Sequence, residues 1–181
     1  MSKHSVKVLV GLAAVVAVLA GSYCGYQWYR YHRYDELIGR AAQQYAMDPR
    51  LVSAVVWRES EYDARQVGNA GEVGLMQVTR SAGFEWAAAA GTAGFEPADL
   101  FDPGTNLMAG AWYLARAMHR WSAKDDPVPY ALAEYNAGRS NAVRWDSLDK
   151  GGSGATFCES ITYPSTRRYV KDIMRRYRRQ P

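Results

Sequence analysis

Hydrophobic positions along most of this chain recur in threes and fours. Val52, Val55 and Val56 form one such set, and Leu107, Ala111, Leu114, Met118 and Trp121 form a second. Tyr169, Val170, Ile173, Met174 and Tyr177 form a third, with arginines between them. That spacing puts each set on one face of an α-helix. The segment "MDPRLVSAVVWRES" opens with Asp48 as helix cap and Pro49 in the first turn, the order in which helices start. Residues 34–46 read as a helix, the Leu107 set predicts about four turns, and "YALAEYNAG" predicts a helix beginning near Pro129 and stopped by Gly138. No segment alternates as a strand does. "SLDKGGSGATF", residues 147–157, reads as a flexible loop. The expectation is one mostly α domain over residues 34–181.

The N-terminus follows a different pattern. No charged residue occurs over residues 8–29, and a bilayer core needs ~20 such residues as a helix. Tyr23, Tyr26, Trp28, Tyr29 and Tyr31 follow, aromatics of the kind found at a membrane interface. Residues 1–33 are therefore expected to be an N-terminal transmembrane helix. The alternative is a cleaved signal peptide, with Val18-Leu19-Ala20 before Gly21 as the site. Lys3, Lys7, Arg30 and Arg33 flank both ends, so positive charge leaves the orientation open.

Composition refines this picture. At 181 residues with 48% hydrophobic and 22% charged positions, the chain suits a single folded domain. The net charge of +4 is concentrated at the C-terminus. Residues 166–181 hold seven Lys/Arg against Asp172 alone, and the rest of the chain is slightly acidic. That distribution fits a solvated helix face and argues against a nucleic-acid partner. Cys24 and Cys158 form no disulfide framework. His4, His32 and His119 make no ligand cluster, so neither metal nor cofactor is expected.

One residue breaks the hydrophobic logic. Glu59 lies seven, four and three residues after Val52, Val55 and Val56, on their face. A carboxyl there is partly desolvated, which raises its pKa toward what a general acid needs. Gly68, Gly71 and Gly74 then let backbone turn or approach a ligand closely. The chain returns at Leu75-Met76-Gln77, and Gln77 offers both donor and acceptor to an N-acetyl sugar. Tyr135 and Asn136, in "EYNAG", add a hydroxyl and a second amide. Glu61, Asp63 and Glu72 are close in sequence, but their spacing gives no reason to face the same bond.

Glu59-Ser60, "GEVGLMQ" (71–77), "NLMAGAWYL" (106–114), "AEYNAG" (133–138) and "ITYPSTRRYV" (161–170) occur in this order. Together they resemble the soluble-lytic-transglycosylase (SLT) domain of peptidoglycan lytic transglycosylases. The resemblance implies a lysozyme-like fold similar to goose-type lysozyme, with Glu59 as the catalytic acid/base. It implies that Met76 and Gln77 line the sugar site, that Tyr135 and Asn136 position the acetamido group and the cleaved linkage, and that Tyr163 faces the cleft. The chain departs from the family pattern at Gly68, often a serine, at Thr162, usually a proline, and at Ser165, usually a glutamate.

The activity so implied is cleavage of the MurNAc-GlcNAc β-1,4 bond in glycan strands. One carboxylate suffices because the sugar's own 6-hydroxyl closes a 1,6-anhydro ring. The implied location is the bacterial inner membrane, single-pass, with the catalytic domain in the periplasm, or the periplasm alone if the N-terminus is cleaved. A lysozyme-type hydrolase and a non-catalytic peptidoglycan-binding or assembly protein are the rival readings. General wall turnover and opening of the wall for a secretion assembly, with cell-envelope or secretion-machinery proteins as partners, both fit the resemblance.

Overall fold

The computed structural model describes residues 3–179; the side chains of residues 3, 4, 6 and 8–10 lie outside that description. The chain divides into two compact units, residues 1–35 and 36–181.

The first unit is one helix, α1 (Lys3–His32). Its apolar side chains Leu12, Val15, Val16, Val18 and Leu19 are all exposed, and the Arg33 guanidinium lies 4.7 Å over the Tyr34 ring. The expected transmembrane segment is present as a helix. Among the described residues no helix is long and apolar enough to cross a membrane. Gly21, Ser22, Gly25 and Gln27 dilute the second half of α1, and residues 8–10 of the expected apolar run lie outside the described side chains.

The second unit is helical almost throughout. It begins with α2 (Asp35–Gln44), whose first residue lies at the boundary, and α3 (Pro49–Ser60). The Asp48 carboxylate accepts from the Arg50 backbone N–H at 2.8 Å, a cap that satisfies an otherwise orphaned donor. Leu51, Val52, Ala54, Val55 and Val56 are buried along α3. After a long loop come α4 (Arg80–Ala90), a 3-10 turn (Pro97–Phe101) and α5 (Pro103–Arg120). The unit closes with α6 (Val128–Ala137), α7 (Arg139–Leu148), α8 (Gly154–Ser160) and α9 (Pro164–Arg179).

Helix α6 sits at the centre. Every residue from Val128 to Glu134 is buried, as expected of a helix that is apolar all round. It packs on α5, α7, α8 and α9, while α9 also packs on α3. The α9 stripe predicted from spacing accounts for this, since Tyr169, Val170, Ile173 and Met174 are buried. Tyr177 extends the clamp by donating to Asp48 Oδ2 at 3.0 Å.

Three helices carry little periodic signal. In α4 only Gly83, Trp86 and Ala87 are buried, and in α7 only Ala142 and Trp145. Helix α8 lies partly inside the stretch read as a loop. There Ser153 and Thr156 form a reciprocal cap, and Phe157 stacks on Tyr130 with ring centroids 3.9 Å apart. The glycines at 151 and 152 precede the cap, so the flexible segment is shorter than its composition suggests. In the long loop before α4, isolated bridges pair Val67 with Val73 and Val73 with Val78. These hold the loop without forming a named strand.

Candidate active site

Helix α3 ends by placing Glu59 beneath α9. The Tyr169 hydroxyl donates to Glu59 Oε1 at 2.7 Å, and the Tyr169 side chain is itself buried. Glu59 is half-buried, closed in by protein yet not sealed. Burial pushes its carboxyl up to about 7, against the pull of the Tyr169 hydrogen bond and the Arg58 charge. The negative charge of Glu72 adds to the upward push. Near neutral pH such a group is divided between acid and base, the condition for giving a proton and taking one back. Tyr169 and Tyr135 stay protonated, because burial and then the charge of Glu59 raise both phenols well above their ordinary value.

The residue after the glutamate is structural. Ser60 points into protein and its Oγ donates to the Leu75 carbonyl at 2.9 Å and to the Val56 carbonyl at 3.2 Å. The returning loop is thereby fastened to the end of α3. Asn106, fully buried on α5, fastens the same loop from the other side. Its Oδ1 accepts from the Met76 N–H at 2.8 Å, and its Nδ2 donates to the Val73 and Leu100 carbonyls, each at 2.8 Å. Gly74 must be glycine for this: its φ is +78°, and a Cβ there would run into the Asn106 amide.

Gly68, one of the departures from the family pattern, has a physical account. The Gly68 N–H donates to the Glu72 carbonyl at 2.7 Å, and a Cβ at 68 would collide with the Glu72 side chain. The Glu72 carboxylate fills that space and accepts from the Ala70 N–H at 2.9 Å. Spacing gives no reason for Glu72 to face the same bond as Glu59, and the folded loop brings its charge within influence of that carboxyl. Thr162, another departure, accepts from Trp145 Nε1 at 2.8 Å, a bond proline could not make. Nothing in the structure explains Ser165.

The remaining expected site residues divide. Met76 has a fully buried side chain packed on Gly110, so its thioether does not line an open surface. Its carbonyl accepts from the Tyr135 hydroxyl at 2.8 Å, which ties α6 to the loop. Gln77 spends its Nε2 on the Gly74 and Gln66 carbonyls, at 3.0 and 3.1 Å. Gln77 and Tyr135 line one side of a groove of about 290 Å³, with Tyr113, Arg116 and Arg139 also on its walls. Asn136 is exposed, and its Oδ1 accepts from Thr166 Oγ1 at 2.8 Å. Tyr163 is exposed and stands edge-on to Trp145 at 5.2 Å. Glu59 and Tyr135 lie within electrostatic reach of each other, and Tyr135 is tied to the Met76 backbone.

Sequence reasoning missed Tyr169 as a partner of Glu59 and Tyr113 as a groove residue. Tyr169 sits on an apolar stripe, where a phenol filling the core and a phenol donating to a carboxyl have the same spacing. Among the described residues no three His, Cys, Asp or Glu side chains converge as metal ligands do.

The sequence model of the transglycosylase SLT domain matches residues 36–157. The chain belongs to this family. Membrane-bound lytic murein transglycosylase F of Desulfosudis oleivorans is 35% identical over 112 residues, covering 60% of this chain and 23% of that protein. Membrane-bound lytic murein transglycosylase C of Klebsiella pneumoniae is 34% identical over 127 residues, covering 67% of this chain and 35% of that protein. The chain thus spans about a quarter to a third of the length of these curated relatives. Among solved structures, the 70 kDa soluble lytic transglycosylase of Escherichia coli superposes with a TM-score of 0.75 at 25% identity, covering 90% of this chain and 26% of that one. An inactive mutant of lytic transglycosylase Slt from Pseudomonas aeruginosa gives a TM-score of 0.74 at 21% identity, covering 81% of this chain and 23% of that one. The SLT domain here accordingly has the lysozyme-like, mostly α fold its motifs imply.

Proposed function

We propose that this chain is a lytic transglycosylase that cleaves peptidoglycan between N-acetylmuramic acid and N-acetylglucosamine. The observation that carries the reading is the Glu59 carboxyl, raised to about 7 and held by Tyr169 at 2.7 Å, in a domain whose relatives are named murein transglycosylases. Glu59, protonated, gives its proton to the glycosidic oxygen as that bond breaks. The resulting carboxylate takes the proton of the muramyl 6-hydroxyl as this oxygen bonds to the anomeric carbon, closing a 1,6-anhydro ring. The proton count balances and no water is consumed. An internal hydroxyl is already close to the reacting carbon, an entropic advantage over a water molecule. Ordinary glycosidases need a second carboxylate for that role. Tyr135, joined to the Met76 carbonyl, and Gln77 form the wall against which the sugar's acetamido group rests.

Membrane attachment through residues 1–33 belongs to the same proposal. Support comes from the uncharged run over 8–29, from the exposed apolar side chains of α1, and from relatives named membrane-bound. The catalytic domain would then work in the periplasm. Mass spectrometry of products from purified sacculi tests the chemistry. Anhydro-muropeptides are expected; reducing-end products, one water heavier, would make the protein a hydrolase, and a folded chain that releases nothing would leave it a binding protein.

A further inference from the structure

A second cleft, of about 460 Å³, runs between α8 and α9 and shares no lining residue with the groove at Gln77 and Tyr135. Its apolar lining comes from Ala155 and Cys158 on α8, Met174 on α9 and Pro129 on α6. Burial pushes the Cys158 thiol up, so it stays neutral and packs as a small hydrophobe. The charged lining is basic. Lys171, Arg175, Arg178 and Arg179 face the cleft from α9, and Glu159 is the one acid beside them among the described residues. Spacings of four and three keep the first three of these cations on one side of the helix. Lys171 reaches Glu159 at 2.6 Å, Arg175 reaches Asp172 at 2.9 Å and Arg178 reaches Asp126 at 3.4 Å. In each pair one side chain is more than half exposed, so water and competing anions can replace the partner. Arg179 is exposed at the end of α9.

Cations around an apolar wall match a phosphate ester that carries hydrocarbon. A neutral sugar leaves the positive charge uncompensated, and inorganic phosphate leaves the apolar wall uncovered. A zwitterionic headgroup brings a cation of its own against Lys171 and the arginines. Guanidinium groups hold phosphate through paired hydrogen bonds and keep their charge. The cleft falls within the ~300–1,000 Å³ of small-ligand sites, which leaves room for a headgroup and the first carbons of its chains. Charge along the sequence adds a direction. Residues 166–181 hold seven Lys/Arg against Asp172 alone, while the rest of the chain is slightly acidic, so an anionic surface draws in α9 and not the remainder of the domain. We propose that the cleft between α8 and α9 binds the headgroup of an anionic phospholipid, and that the basic side of α9 docks there on the membrane surface. The site is independent of the glycan chemistry, since none of its lining residues takes part in that reaction.

Amine labelling of Lys171 in the full-length chain tests the site, with acetylation read by peptide mass spectrometry. The chain is mixed with vesicles of phosphatidylcholine alone, or with vesicles of phosphatidylcholine and phosphatidylglycerol in equal parts. A third sample holds phosphatidylcholine vesicles and inorganic phosphate. Residues 1–33 are present throughout, so any attachment they provide is common to all three samples. Lys171 is expected to label about tenfold more slowly on the phosphatidylglycerol vesicles, and raised salt should restore the rate. Arg175→Glu together with Arg178→Glu, both at exposed positions, should abolish the protection. Equal labelling on the two kinds of vesicle, or protection that survives both substitutions, would overturn the site. Equal protection by inorganic phosphate would overturn it as well, because the cleft would then take the free anion and not the lipid.

Discussion

Tyr169 donates a hydrogen bond to Glu59 across 110 residues of sequence, 2.7 Å from hydroxyl to carboxylate oxygen. It joins the last helix of the domain to the end of the helix that carries the acid. Two opposed effects meet in Glu59. Burial favours the neutral carboxyl, while Tyr169 and Arg58 favour the charged one. Burial wins, and the result is a group that titrates near neutrality.

Glu59→Gln keeps size and polarity but has no proton to give. Turnover of peptidoglycan should fall by ~10²–10⁴ or more, the scale of a positioned acid–base group, while binding of glycan persists. Release of soluble muropeptides from sacculi measures this, and near-normal release would remove Glu59 from the mechanism.

The same substitution should change the pH dependence of stability. Folding raises this carboxyl from 4.5 to about 7, so the native state holds the proton more tightly than the unfolded one. The stability due to Glu59 is therefore complete below about pH 4.5 and lost as pH climbs through 7. Glu59→Gln should leave denaturant midpoints unaltered at pH 4 and raise them at pH 8, by roughly 1–3 kcal/mol in unfolding free energy. An identical difference at both pH values would contradict the raised pKa.

Tyr169→Phe removes the hydroxyl that draws Glu59 down and keeps the ring in the core. The alkaline limb of the pH–rate profile should move to higher pH, and turnover should drop about tenfold, the worth of one hydrogen bond to a charged group. A profile that stays in place would show that the bond seen here does not govern the acid.

Glu72→Gln acts in the opposite sense. Removing its charge relieves the repulsion that raises Glu59, so the same limb should move to lower pH. The amide can still accept from Ala70 N–H, which keeps the loop intact. Glu61→Gln, for comparison, should leave the limb where it is. Equal profiles for all three proteins would mean that Glu72 is only a loop residue.

Asn106→Ala tests the scaffold beneath the site. It strands the Met76 N–H and the Val73 and Leu100 carbonyls, at about 1–3 kcal/mol for each buried group left unpaired. Calorimetry should show Tm lower by at least roughly 6–12 °C, together with reduced activity, because Tyr135 rests on the same loop.

The sequence by itself determined the elements whose cause is local. The Asp48-Pro49 start of α3, the Leu107–Trp121 stripe of α5 and the stripe of α9 follow from capping and a 3.6-residue period. So does the placement of Glu59 on the face of Val52, Val55 and Val56, since a helix carries that information in its spacing. Helices α4, α7 and α8 were not legible in this way, for each buries only two side chains and leans on neighbours rather than on a stripe of its own. What only the tertiary structure decided is which groups meet. Periodicity placed Tyr169 on a buried face and could not say that its hydroxyl would find Glu59. It could not say that Ser60 and Asn106 would grip one loop from two sides, or that Met76 would turn its side chain inward and offer a carbonyl to Tyr135. Nor could it reveal that a glycine at 68 leaves room for the carboxylate at 72. Hydrogen bonds between distant segments depend on directions fixed only when the helices pack, and a pKa depends on how much water that packing removes.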